Sequence, residues 1–175
     1  IGFSLGGVLA GWVAQQRADV TAAVLISPAI GVQALPARRR RLYGHLLALL
    51  PNFYQWWHPS LKEQKVEPLH AYPRFASHAL AALLRIGLIV RDRVGRSQPA
   101  TTQITVITNP SDPVVDNQTV AHVVATWQAH GIAVTTHSFP AEWQLLHDLI
   151  DPLQPEQQVE RVYPLLLEWL TAAGL

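Results

Sequence analysis

Neither cysteine nor methionine occurs anywhere in the 175 residues, and charged side chains make up only 14% of them. Without cysteine there can be no disulfide, no thiol nucleophile and no cysteine-ligated metal, while the redox compartment stays undetermined. A formal net charge of +1 excludes the basic surface that would hold nucleic acid. Long apolar runs are lacking too: the longest, around residues 80–84 and 86–90, are separated by Arg85 and too short to span a bilayer. No basic stretch followed by an apolar core opens the chain. The first residue is Ile, so the expectation is a fragment of a longer translation product. The expected location is the cytoplasm, any export signal belonging to preceding sequence.

What the chain does have is hydrophobic content, 49%, ample for one packed domain. Its first seven residues, Ile1-Gly2-Phe3-Ser4-Leu5-Gly6-Gly7, carry the Gly-x-Ser-x-Gly pattern of a nucleophile elbow. A serine at a sharp strand-to-helix turn is backbone-strained, and its neighbours two residues away are expected to lack side chains, as Gly2 and Gly6 do. Residues 7–17 read as a helix whose glycines, Gly7 and Gly11, suit close packing on a sheet. Such a helix would aim its positive end at an oxyanion, with the Leu5 backbone N–H as one donor.

Further along, 21–26 is a continuous apolar run that fits a strand covered on both faces. Residues 31–73 show no strand pattern, several prolines, the run Arg38-Arg39-Arg40-Arg41 and the aromatics Phe53, Tyr54, Trp56 and Trp57. They read as a helical insertion. The arginines suit a solvated helix start more readily than recognition of an anionic substrate or surface, and the aromatics suit either packing within the insertion or contact with an acyl chain or membrane interface. Helices are expected over 42–50 and 75–94. A strand rich in β-branched residues follows over 103–108, closed by the turn 109–113. Then come a helix over 117–130, capped by Asp116 and stopped at Gly131, a strand over 132–139, a loop, and a helix over 156–172 kinked at Pro164.

Strands alternating with helices argue for an α/β fold on a parallel sheet of about three strands. Three residues then fall after strand ends, where open parallel sheets gather function: Ser4, Asp112 and His147. Asp116 competes with Asp112, but a carboxylate at a helix start is commonly a cap. His137 competes with His147, but it lies inside a strand pattern. The remaining histidines, His45, His58, His70, His78, His122 and His130, show no ligand-like spacing beside a carboxylate, so neither metal nor cofactor is implied.

The order Ser, Asp, His on strand-turn-helix units resembles the α/β-hydrolase superfamily, and the matching residues are Gly2 to Gly7, Ile104 to Asp112, and Leu146-His147-Asp148. The resemblance covers essentially the whole chain but only the second half of that fold. It implies residues 1–30 and 74–175 as hydrolase core and 31–73 as a cap like that of monoglyceride lipases or carboxylesterases. It implies Ser4 as nucleophile, His147 as base, Asp112 as the orienting acid, and a small-molecule ester or acyl substrate. The family's strands before the elbow, with the loop giving the second oxyanion donor, are expected to be absent, so the missing half is required and the chain alone should be unstable or inactive. The alternatives are another acyl-transfer enzyme (thioesterase, acyltransferase, peptidase or lactonase), a non-catalytic binding domain of the same fold, and a truncated product without function.

Overall fold

The structure, a computed structural model, describes residues 1–56, 73–154 and 156–174. In chain order its elements are β1 (Gly2–Phe3), α1 (Leu5–Gln16), β2 (Ala22–Ile26), a 3-10 turn (Ala37–Arg39), α2 (Arg40–Leu49), β3 (Tyr54–Trp56) and β4 (Arg74–Ala76). There follow α3 (Ser77–Val94), β5 (Gln103–Thr108), α4 (Asn117–Ala129), β6 (Ala133–Ser138), a second 3-10 turn (Ala141–Trp143) and α5 (Val159–Ala172).

The main sheet has the order β1-β2-β5-β6, with every neighbouring pair parallel. Alternate residues of the buried strands serve opposite faces, as the pleat requires. Ala23, Leu25, Ile104 and Val106 pack with Val8 of α1, Val90 of α3 and Trp127 of α4. Val24, Ile26 and Ile107 pack the other way, against Phe139, Leu145, Leu149 and the Val162–Leu166 face of α5. The result is three layers, helix, sheet and helix, the α/β fold that the sequence pattern predicts.

Several boundaries differ from expectation, each for a local reason. The sheet has four strands because β1 pairs Gly2 with Leu25 and Phe3 with Ile26. A two-residue strand leading to Ser4 is therefore present, which corrects the expectation that there would be none. Two residues are too few to show a sequence period. The segment expected to lack strands carries β3, which pairs antiparallel with β4, Tyr54 opposite Ala76 and Trp56 opposite Arg74. That pairing joins residues distant in sequence, so no local turn signal marks it. Phe75 accordingly belongs to β4, and α3 starts at Ser77. The final helix starts at Val159 and contains Pro164, on its exposed side.

Other expectations hold in detail. Asp116 caps α4 by accepting from the backbone N–H groups of Gln118 and Thr119, and Gly131 beyond its end has φ 81°. A Cβ on Gly11 would lie 3.1 Å from Leu25 Cδ2, so α1 does lie tightly on the sheet. The arginine run is not uniformly solvated: Arg40 is buried. It donates to the carbonyls of Leu35 and Val32, to Thr119 Oγ1 and to the Asp116 carboxylate. Of the aromatic run, Phe53 and Tyr54 are exposed and the Arg74 guanidinium lies over the Tyr54 and Trp56 rings; Trp57, His58 and His70 lie outside the described residues.

Candidate active site

Ser4 sits between the end of β1 and the start of α1 with φ 52° and ψ −115°, a backbone conformation that an L-residue holds only under constraint. The constraint is visible. Ser4 N–H donates to the Ile26 carbonyl at 2.9 Å, and the Ser4 carbonyl accepts from Val8 at 3.2 Å and from Ala29 at 3.1 Å. A Cβ on Gly2 would lie 1.9 Å from the Gly6 carbonyl oxygen, so glycine is obligatory there. A Cβ on Gly6 would meet nothing within 4 Å, so the predicted symmetry between the two glycines does not hold among the described residues.

The histidine that faces Ser4 is carried by the loop after β6. Leu145 and Leu149, buried on either side of His147, fix the depth of this loop in the core under α5. His147 Nε2 lies 2.8 Å from Ser4 Oγ, and the imidazole stacks on Phe3 with centroids 5.4 Å apart. On the other side, His147 Nδ1 lies 2.8 Å from Asp112 Oδ2. With the carboxylate ionised, Nδ1 carries the proton and donates it, leaving Nε2 free to accept from the serine hydroxyl.

Asp112 is supplied by the turn after β5, and its side chain has no exposed surface. Its Oδ1 accepts from the backbone N–H groups of Val114 at 2.8 Å and Val115 at 2.9 Å. Burial pushes this carboxyl up, but the His147 contact and the two backbone donors outweigh it, so its pKa falls below the ordinary carboxylate range. The structure thus brings together all three side chains singled out in the sequence. It leaves their two competitors elsewhere: Asp116 on Arg40 and the α4 N-terminus, and His137 stacked on Trp169 with centroids 4.8 Å apart.

Leu5 is the first residue of α1, so its N–H has no acceptor within the helix and lies at the positive end of the helix dipole. Sequence reasoning missed two residues at this site. Phe3 reads only as the variable position before the serine of the elbow pattern, although its place beside Ser4 puts it within reach of whatever faces the nucleophile. Asn109 reads only as a turn residue in front of Pro110, and because its side-chain partners Leu145 and Leu146 lie more than thirty residues away, no local signal marks it. Among the described residues, no group of three or more His, Cys, Asp and Glu side chains could hold a metal ion. No described helix is long and apolar enough to cross a membrane.

No protein-family model and no curated protein matches the sequence. Solved structures do match. A Paleococcus ferrophilus monoacylglycerol lipase aligns with 98% of this chain at a TM-score of 0.67 and 16% identity, over 67% of its own length. A soluble variant of a Saccharomyces cerevisiae monoglyceride lipase, in complex with a substrate analogue, aligns with 98% at a TM-score of 0.70 and 11% identity, over 64% of its length. A structure of the metagenome-derived lipolytic enzymes LipS and LipT aligns with 98% at 0.60 and 19%, over 62%. The chain therefore spans about two thirds of the length of these structures, and at such identities the shared property is the fold.

Proposed function

We infer, from the α/β-hydrolase fold of this chain, that it is the nucleophile-bearing part of a serine hydrolase of carboxylic esters. The observation that carries the reading is the unbroken line of two 2.8 Å contacts, Ser4 Oγ to His147 Nε2 and His147 Nδ1 to Asp112 Oδ2. Ser4 Oγ attacks the ester carbonyl as His147 Nε2 takes its proton, and Asp112 stabilises the imidazolium. The Leu5 N–H donates to the tetrahedral oxyanion. The oxyanion then collapses, His147 returns the proton to the leaving alcohol, and water, activated by the same histidine, hydrolyses the acyl-enzyme.

Residues 31–73, of which 57–72 lie outside the described residues, are read as a cap segment, and the substrate is an ester of a small or medium acyl chain, for which monoacylglycerols are the example set by the neighbours. A further segment of the fold, which the longer neighbours possess, supplies the second oxyanion donor and the rest of the pocket. One donor of such a pair is worth about 2.7–4 kcal/mol of transition-state stabilisation. The 175 residues alone are therefore expected to react far more slowly than the full chain.

The test is covalent labelling by a fluorophosphonate, read by intact mass, on the full chain, on its Ser4→Ala variant and on the 175 residues alone. One adduct on the full chain, absent from the variant, is the expected result. An unlabelled full chain would overturn the hydrolase reading in favour of a non-catalytic binding domain.

A further inference from the structure

We propose that Asn109 is a positioning residue that holds His147 in line between Ser4 and Asp112, an inference that rests on the hydrolase reading above. Asn109 follows β5 directly and is 1% exposed, unusual for a residue type that is mostly found at the surface. Its side chain is fully engaged. Nδ2 donates to the carbonyls of Leu145 at 2.9 Å and Leu146 at 3.2 Å, and Oδ1 accepts from Ser111 N–H at 3.1 Å. Its backbone carbonyl accepts from Asn117 Nδ2 at 2.7 Å and from Asp112 N–H at 3.2 Å.

Only half of this arrangement is turn chemistry. The Oδ1 contact two residues on is the ordinary Asx turn, which aspartate would make as well. The two donors point out of the turn, to the carbonyls of the two residues immediately before His147. One side chain thus ties the turn that carries Asp112 to the loop that carries His147. Packing of Leu145 and Leu149 sets how deep that loop lies, but apolar contact is non-directional, whereas hydrogen bonds of this geometry fix orientation. Orientation is what the reaction needs, since displacing a reacting group by about 1 Å can cost roughly 100-fold in rate.

The decisive variant is Asn109→Asp in the full chain. It keeps the size and the Oδ1 contact to Ser111, removes both donors, and sets a carboxylate against two carbonyls. Asn109→Ser, smaller and without reach to the loop, serves should the aspartate variant fail to fold. Gln158→Leu is the control, because Gln158 Nε2 holds the same loop at the Trp143 carbonyl, at 2.8 Å, away from the residues adjoining His147. Three quantities are read: kcat and KM on a p-nitrophenyl ester, the melting temperature, and the downfield proton resonance of His147 Nδ1–H.

The expected result for either Asn109 variant is a loss of kcat on the order of 100-fold with KM unchanged, together with a shifted or lost resonance. The control keeps its resonance and its kcat while its melting temperature falls. Wild-type kcat and resonance in the Asn109 variants would overturn the inference. Equal losses in the control at an equal drop in melting temperature would overturn it too, because they would mean general loosening. The resonance is read without turnover. An unsubstituted chain that hydrolysed no ester would thus defeat the hydrolase reading while the placement of His147 was still decided.

Discussion

A carboxylate can hold a histidine or hold a helix, and Asp112, buried, and Asp116, half-buried and four residues on, do one each. Asp112 accepts from His147 and from two backbone N–H groups of its own turn, whereas Asp116 accepts from Arg40, Thr119 and the first N–H groups of α4. Asparagine is nearly isosteric in both places, so the two substitutions separate the roles. In Asp112→Asn the amide donates to His147 Nδ1, which leaves the proton on Nε2, where it blocks acceptance from Ser4. A loss of roughly 10⁴-fold in kcat is expected. Asp116→Asn retains a capping oxygen and is expected to leave kcat intact while lowering the melting temperature. Steady-state rates and melting curves of the two variants check this, and a larger rate loss at position 116 would reverse the assignment of the acid.

Arg40, at the first residue of α2, ties the segment between β2 and β5 to the core: its guanidinium bonds two carbonyls from residues 32 and 35 and two side chains at the start of α4. Replacing it by Met leaves the half-buried Asp116 carboxylate without its cation, a loss of about 1–3 kcal/mol. The double variant Arg40→Met with Asp116→Asn is expected to be less destabilised than the sum of its parts, measured by urea denaturation, because no unpaired charge remains. Additive losses would mean that the two residues are not energetically coupled. The same element shows what was legible from sequence. The apolar run of β2, the β-branched β5 and the cap of α4 are local signals, and the order of Ser4, Asp112 and His147 follows from the alternation of strands and helices. Which of four consecutive arginines turns inward is decided by where Val32 and Asp116 stand in space. Likewise β1 is too short to show a period, the β3–β4 pairing is non-local, and the Asn109 clamp joins loops more than thirty residues apart.

Four aspartates on separate parts of the molecule give its stability a pH dependence of defined sign. Asp112 and Asp116 are pushed up by burial but held down more strongly, by His147 and backbone donors in one case and by Arg40 and Thr119 in the other. A carboxyl whose folded pKa lies below its unfolded value stabilises the native state above the unfolded value, and that stability is lost as pH falls through the folded one. Asp19, lowered to about 2 by Arg17, has the same sign but sits on the exposed surface, where such pairs contribute little. Asp148 has the opposite sign. Burial raises its pKa and Asp151 adds to the rise, with Gln154 and His147 opposing but not outweighing them, so its protonated form favours the folded chain. Acidification into the carboxylate range is therefore expected to bring a gain from Asp148 first and then a loss as Asp112 and Asp116 take up protons. Urea midpoints between about pH 6 and pH 2 trace both limbs. Asp148→Asn should erase the early gain and leave the later loss, whereas Asp116→Asn should shrink the loss and leave the gain. A gain that survived Asp148→Asn would assign it to a different group, and a loss undiminished in Asp116→Asn would show that the Arg40 pair does not carry the acid limb.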